Sequence, residues 1–232
     1  MLDTESPVNK DVLRSGTWKN RAAAKSLRTF FSCLAHSLAF IHSNSVKHMD
    51  IKPKNLLVSA HNTASDTYKI YIADFGIARS YKSAHDAETD SPIPFTRTYA
   101  APEVALQDVR GFSADIFSLG CVFLEMLATL VSKPTRNERH DLAEARTATS
   151  GDSSYHANLD HVNSWFQQVF GQNRQIEDLP VDLLSESPKM LLVAPEQRPS
   201  AAELDASLAP FRCKTCDSGP EPFEAAERSY TS

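Results

Sequence analysis

His48-Met49-Asp50-Ile51-Lys52-Pro53-Lys54-Asn55 is the stretch of this chain that decides the fold, and Asp74-Phe75-Gly76 follows it. A third motif, Ala101-Pro102-Glu103, comes later in the same order. The first two motifs supply two carboxylates, one amine and one carboxamide. Carboxylate and amide oxygens are ligands that Mg²⁺ prefers, and an amine balances the charge of phosphate oxygens. The sequence therefore points to a site for a metal-bound phosphate.

The three motifs in this order resemble the catalytic loop, the metal-binding loop and the end of the activation segment of protein kinases. Any one of them could arise by chance on a solvated loop, but ordinary residue usage does not account for the ordered set. A lysine at the position of Lys52 in the catalytic loop resembles serine/threonine kinases more than tyrosine kinases. The resemblance implies a mainly α fold of the α+β family: the helical C-terminal lobe of a kinase, with a short β-hairpin beside the catalytic loop.

The resemblance also implies roles for the polar residues. Asp50 accepts the proton of the substrate hydroxyl, and Lys52 and Thr96 complete the catalytic set. Lys52, Asn55 and Asp74 bind the cofactor, with Asn55 and Asp74 as the metal ligands. The implied cofactors are ATP and Mg²⁺, and the implied substrate is a protein with a Ser or Thr hydroxyl.

Five further residues have implied structural roles. His48 and Phe75 align the two loops, Asp115 accepts hydrogen bonds from the catalytic-loop backbone, and Arg198 pairs with Glu103. Two of these assignments have ordinary alternatives. Asp115 also suits the first turn of any helix, where the dipole favours an acid, and Arg198 also suits a surface position before a helix.

Two departures from the kinase pattern are visible. Met49 stands where many kinases have an Arg that binds a phosphate on the activation loop, so we expect phosphorylation of Thr89, Ser91, Thr96 or Thr98 not to be the main switch. None of the seven glycines is two residues from another, so the G-x-G-x-x-G loop that covers ATP is absent from the sequence. We therefore expect the N-terminal, ATP-covering lobe to be missing.

Two functions remain open from the sequence. The first is a protein serine/threonine kinase, present as a truncated catalytic domain, that transfers the γ-phosphoryl group of ATP. The second is a catalytically silent kinase-like lobe that binds other proteins, with a partner on the surface left by the missing lobe.

Composition excludes several other classes of protein. A net charge of −5 offers no broad basic surface for nucleic acid, and the N-terminus has no signal-peptide pattern. The longest apolar run, 116–131, contains Glu125 and is short for a membrane span. We expect an intracellular protein, cytoplasmic or nuclear. Cys213 and Cys216 form a lone C-x-x-C, for which a surface thiol pair is the ordinary interpretation and metal or redox use the alternative.

Apolar periodicity divides the chain into a loose leader (1–20), a kinase-like domain (21–211) and a flexible tail (212–232). Within the domain we expect a first helix from Arg21 to about Asn44, and strands at 56–58 and 68–72 joined by a long polar connection. Further helices are expected at 101–107, at 113–130 with Ser113 as its cap, near 164–170, after Leu179, and after Ser200. The segment 132–160 has few aliphatic residues and is expected to be an exposed insertion.

Overall fold

The structure is a computed structural model that describes residues 21–62, 67–80, 96–106, 111–149, 151–171 and 179–214. Seven α-helices lie in these residues: α1 (Arg21–Ser43), α2 (Pro102–Ala105), α3 (Ser113–Val131), α4 (Glu138–Arg146), α5 (Leu159–Phe170), α6 (Val181–Lys189) and α7 (Ala201–Leu208). Four strands accompany them: β1 (Val46–Lys47), β2 (Leu56–Asn62), β3 (Thr67–Ile72) and β4 (Arg79–Ser80). The predicted mainly helical architecture with a small hairpin is confirmed.

Helix α3 forms the centre of the core. Its side chains are apolar on nearly every face, and a helix of this kind is stable only when other elements cover it on all sides. In the structure, 14 of its residues are buried. By length and composition α3 could cross a membrane, but most of it is buried inside this protein, as in the core helix of a folded domain. Ser113 is not the cap that we predicted. The cap position is Phe112, and Ser113 is the first residue of the helix.

Helix α1 packs its apolar stripe against α3, α7 and β3. The rings of Phe31 and Phe123 meet edge to face across the α1–α3 contact, with centroids 5.0 Å apart. The helix ends close to the predicted position because the side chains of Ser43 and Asn44 donate hydrogen bonds to the carbonyl of Phe40, and Ser45 then adopts a positive φ of 57°. The chain leaves α1 directly towards the motif at 48–55.

Two small antiparallel sheets hold the motif loops side by side. Strand β2 pairs with β3, with Leu56 opposite Ile72, and β1 pairs with β4, with Val46 opposite Ser80. Strand β2 continues to Asn62, beyond the predicted residue 58, since the polar residues after Val58 still pair with β3. Residues 48–55 lie between β1 and β2, and residues 73–76 lie between β3 and β4. Because β1 pairs with β4 and β2 pairs with β3, the two loops are held next to each other.

The segment 132–160, which we predicted to be an exposed insertion, has buried as well as exposed residues in its described part. Helix α4 crosses this segment with Leu142 buried, and Tyr155 is completely buried. Tyr155 also donates its backbone N–H to the carbonyl of Thr98, at 3.0 Å. A few well-placed apolar and aromatic side chains anchor this polar segment, and a count of aliphatic residues does not detect them.

The remaining helices agree with their predicted positions. Helix α5 begins at Leu159, earlier than expected, because Val162 joins Trp165 and Phe166 on the same buried face. Helix α7 begins with the predicted capping box at Ser200 and Glu203. The leader 1–20, Thr89, Ser91, Cys216 and the tail beyond residue 214 lie outside the described residues.

Candidate active site

Asp50, Lys52 and Thr96 form a closed triangle of hydrogen bonds. The Thr96 hydroxyl donates to Oδ1 of Asp50 at 2.8 Å, and Lys52 Nζ donates to Oδ2 of Asp50 at 2.5 Å and to Thr96 Oγ1 at 2.7 Å. The side chains of Asp50 and Lys52 are partly exposed. A carboxylate that can take a proton and an ammonium that can bind a phosphate therefore lie together, and both are partly accessible to solvent.

Asn55 is oriented by the same carboxylate. Its side-chain amide donates to the backbone carbonyl of Asp50 at 2.8 Å and to Asp50 Oδ2 at 3.1 Å. Both partners are acceptors, so the NH₂ group must face them and the carbonyl oxygen Oδ1 points away. This orientation leaves Asn55 Oδ1 available as a hard oxygen ligand.

Asp74 lies just beyond the end of β3, close to Asn55 in the fold. The backbone N–H of Ala73 donates to the carbonyl of Asn55 at 2.8 Å, which ties the two loops together. Asp74 is exposed, and the contact described for its carboxylate is a 3.4 Å hydrogen bond from the N–H of Gly76. It makes no hydrogen bond with Asp50, Lys52 or Asn55 among the described contacts, so its carboxylate is placed beside their cluster rather than within it.

His48 and Phe75 join the two loops from beneath. Nδ1 of His48 accepts the backbone N–H of Asp50 at 3.3 Å, so Nε2 carries the proton that is donated to the carbonyl of Ala73 at 3.0 Å. The rings of His48 and Phe75 are in contact, with centroids 4.8 Å apart. His48 is buried, whereas Phe75 is 47% exposed, so only the histidine belongs to the core.

Asp115 holds the catalytic-loop backbone. Its two carboxylate oxygens accept the backbone N–H groups of His48 and Met49, each at 2.8 Å, and its side chain is almost completely buried. Nε2 of His42 lies 3.0 Å from the same carboxylate. Our sequence reasoning missed His42. The available signal was its position four residues after Leu38, on the core-facing stripe of α1, where a polar side chain needs a partner.

Two residues of the site have a backbone conformation that L-residues rarely adopt. Met49 has φ of 69° and Asp74 has φ of 65°. Such conformations cost free energy and persist only where surrounding contacts enforce them. The hydrogen bond from Met49 N–H to Asp115 is one of those contacts. The positions of both loops are therefore imposed by the fold rather than by local preference.

Arg198 and Glu103 form a buried, two-bond ion pair. The Arg198 nitrogens Nη1 and Nη2 donate to the two oxygens of Glu103 at 2.7 and 2.8 Å. The guanidinium also donates to the carbonyls of Leu192, Ser113 and Val193 and lies over the ring of Phe117. The structure thus favours the pairing over a surface position for Arg198.

A second cluster braces the loop that contains Thr96, and sequence reasoning missed it too. Tyr99 and Tyr155 both donate their hydroxyls to Oε1 of Glu125, at 2.8 and 3.1 Å. Burial is the main cause that raises the pKa of Glu125, and it also raises the pKa values of both tyrosines. Glu125 interrupts the apolar run of α3, which was a signal that it needed a polar partner.

An ion pair at the surface completes this brace. Arg97 donates to the carboxylate of Asp152 at 2.7 Å. The pKa of Asp152 is lowered mainly by a hydrogen bond from the hydroxyl of Ser154 and, to a smaller extent, by the hydrogen bond from Arg97. His156 lies 3.2 Å from the carbonyl of Ala100 through Nδ1, and burial lowers its pKa. The segment 152–156 therefore contacts the loop at 96–100 through Asp152, Tyr155 and His156.

The donor set fits a Mg²⁺–nucleotide complex. The Asn55 Oδ1, which points away from Asp50, and the exposed carboxylate of Asp74 are the kinds of oxygen ligand that Mg²⁺ prefers, and they come from two loops tied by a backbone hydrogen bond. Lys52 supplies the positive charge at the same place. These residues are thus suited to a phosphorylated ligand that carries a divalent metal.

Comparison with known proteins identifies the class. Residues 5–207 match the family model of the protein kinase domain. Cyclin-dependent kinase 7 of Dictyostelium discoideum is 32% identical over 189 residues, which cover 76% of this chain and 49% of that protein. Cyclin-dependent kinase-like 2 of Rattus norvegicus is 30% identical over 182 residues, covering 74% and 34%. The chain belongs to the eukaryotic protein kinase family, as the motifs predicted.

The matched region is only part of these relatives. The chain spans about a third to a half of the length of the two kinases above. Cyclin-dependent kinase 4 of Mus musculus has a higher identity over a shorter stretch, 41% over 100 residues, which cover 43% of this chain and 29% of that protein. These relationships identify the family of the domain.

Proposed function

We propose that this chain carries the catalytic centre of a protein serine/threonine kinase that transfers the γ-phosphoryl group of ATP to a Ser or Thr hydroxyl. The observation that supports it most directly is the convergence of Lys52, Asn55 and Thr96 on the carboxylate of Asp50. A purely structural lobe has no physical need for a partly exposed carboxylate and amine with a buried amide at one point. Phosphoryl transfer needs all three.

The proposed roles follow from the positions of these groups. Asp50 orients the substrate hydroxyl and accepts its proton. Lys52 leaves its present pairing to balance the charge on the transferring phosphate. Asn55 and Asp74 would hold Mg²⁺, which would supply positive charge to neutralise the phosphate oxygens when ATP is bound. Thr96 positions Asp50 and Lys52 relative to each other.

The preference for Ser or Thr is supported by Lys52 two residues after Asp50 and by the cyclin-dependent kinases among the relatives. We also infer that the chain supplies the helical lobe of the kinase domain, since no G-x-G-x-x-G occurs in its 232 residues. A protein that uses ATP and protein substrates is expected to act inside the cell, in the cytoplasm or the nucleus.

A second candidate is a silent kinase-like lobe that binds proteins. It is favoured by three exposed apolar side chains beside the site, Leu57, Tyr71 and Phe75, of which Leu57 and Tyr71 are opposite each other on β2 and β3. Exposed apolar clusters of this kind suit a ligand or a partner protein. The two candidates differ in whether the site binds Mg²⁺·ATP.

Calorimetric titration of the purified chain with Mg²⁺·ATP tests the site, and transfer of labelled phosphate to casein tests the activity. We expect binding that Asp74→Asn weakens, and transfer to Ser and Thr that Asp50→Asn lowers by a factor of about 10²–10⁴. The matched control is Asp160→Asn, which changes an exposed acid on α5 and should leave both measurements unchanged.

Absence of any nucleotide binding would support the silent lobe instead. Binding that is identical in the wild type and in Asp74→Asn would remove Asp74 from the metal site. Label found only on Tyr would contradict the proposed hydroxyl preference.

A further inference from the structure

The stretch that follows α7 returns to α1 and is fixed there by polar contacts. Asp205 on α7 accepts a hydrogen bond from the guanidinium of Arg212, and its other oxygen lies 3.1 Å from Nδ1 of His36 on α1. Each partner of Asp205 lies near a cysteine. Arg212 directly precedes Cys213 in sequence, and His36 lies one helical turn after Cys33 on α1.

These contacts bring two thiols together. Sγ of Cys33 lies 3.4 Å from Sγ of Cys213, although 180 positions separate the two residues in sequence. Neither forms a disulfide. Cys33 is 2% exposed, whereas Cys213 is only partly buried. The pair therefore combines one thiol that solvent can reach with a second thiol directly behind it.

We propose that Cys213 and Cys33 form a peroxide-responsive oxidation site, in which Cys213 reacts first and Cys33 closes a reversible disulfide between α1 and the stretch after α7. This site is separate from the polar cluster around Asp50 and does not depend on the proposed function. It also gives a use to one half of the C-x-x-C motif, which the kinase chemistry does not employ.

The chemistry balances with hydrogen peroxide as the oxidant. The Cys213 thiolate attacks one oxygen of the peroxide, the O–O bond breaks, and Cys213 becomes a sulfenic acid with release of hydroxide. The Cys33 thiolate then attacks the Cys213 sulfur, the S–O bond breaks, and hydroxide leaves. Two thiols and one peroxide thus give one disulfide and two waters, with two electrons passed to the peroxide.

The geometry requires only a small movement. A disulfide has an S–S bond of about 2.05 Å, so the two sulfurs must approach by roughly 1.4 Å from their present separation. Cys33 is held within α1. Cys213 lies between the helical turn at 209–211 and the helical residue Lys214, and its side chain is only partly buried, so rotation of the Cys213 side chain can supply the movement.

Peptide mapping by mass spectrometry, after peroxide treatment of the reduced full chain and alkylation of remaining thiols, tests the site. We expect a peptide linked through Cys33 and Cys213 in the wild type and in Cys216→Ser, and its loss on treatment with dithiothreitol. Cys213→Ser should abolish the linked peptide, because it removes the thiol that reacts first. Cys121→Ser, which changes a buried cysteine on α3, is the matched control and should leave the link intact.

A link mainly between Cys213 and Cys216, or stable sulfinic acid on Cys213 in the Cys216→Ser variant, would overturn the proposal. Thermal melting gives a second measurement that does not rely on peptide recovery. Because the disulfide closes a very long loop, the oxidised wild type should melt about 5–15 °C above the reduced form. Oxidised and reduced Cys213→Ser should melt together, and equal melting temperatures in the wild type would also count against the link.

Discussion

At the scale of the residue, Arg198 illustrates how a buried charge is made tolerable. The guanidinium has five N–H donors, and the structure gives each of its three nitrogens an acceptor, with both oxygens of Glu103 and three backbone carbonyls taking part. Desolvation of the charge is therefore offset at every donor. Removal of the side chain would leave Glu103 charged and buried without its partner.

We expect Arg198→Ala to lower the free energy of unfolding by about 3–5 kcal/mol. Chemical denaturation followed by circular dichroism measures this change. The control is Lys189→Ala, which breaks a surface pair with Glu186 and should cost about 0–1 kcal/mol. Similar losses in the two variants would mean that the buried pair contributes no more than a surface pair.

Residue chemistry could be predicted from the sequence only where motifs specify it. Asp50, Lys52, Thr96 and Asn55 were expected together, and the structure brings them together. His42 and Glu125 were missed because a side chain's type does not reveal a partner that lies far away in sequence. Their common signal was a polar group on an apolar helical face.

At the scale of the element, helix α7 shows local sequence determining a boundary. The Ser200 hydroxyl accepts the backbone N–H of Glu203, while the Glu203 carboxylate accepts the backbone N–H of Ser200, which lowers the pKa of Glu203. These bonds involve only neighbours in sequence, so the capping box was predictable from four residues.

We expect Ser200→Ala to destabilise the protein by about 1 kcal/mol, because a helix N-terminal N–H group loses its acceptor. The control is Ser207→Ala, in the last turn of the same helix, where no such donor is affected. Urea denaturation of both variants provides the comparison. A larger loss for Ser207→Ala would contradict the assigned role of Ser200.

The segment 132–160 shows the opposite case. Its composition predicted an exposed insertion, yet α4 and Tyr155 pack inward, and Asp152 binds Arg97. These contacts are made with α3 and with the loop at 96–100, so their effect depends on tertiary packing. Composition gives the number of apolar residues in a segment, but it does not show whether those residues pack against other parts of the fold.

At the scale of the whole molecule, the buried carboxyl of Glu125 links stability to pH. Because burial raises the pKa of Glu125, the folded protein holds this proton more tightly than the unfolded chain. The stability gained from this difference is fully present below the ordinary carboxyl pKa of 4.5 and is lost as pH rises towards the folded-state value. Over that window the free energy of unfolding should fall.

Glu125→Gln replaces the titratable carboxyl group with an amide and keeps an oxygen that can accept hydrogen bonds from Tyr99 and Tyr155. We expect the variant to gain stability relative to wild type as pH rises above about 4.5, by roughly 1.4 kcal/mol for each unit by which burial raises the pKa. Unfolding curves at pH 4, 5.5 and 7 measure the change. Glu196→Gln, at an exposed glutamate, should show no such trend, and a constant difference for Glu125→Gln would argue against a shifted pKa.

The pair between Glu103 and Arg198 has a consequence for biosynthesis. The two residues are 95 positions apart, and Arg198 also binds carbonyls at Ser113, Leu192 and Val193. During translation Glu103 leaves the ribosome long before Arg198 does. The Glu103 carboxylate therefore stays hydrated until the guanidinium of Arg198 is available to pair with it. The buried pair between Glu103 and Arg198 therefore forms late, after residue 198 has been synthesised.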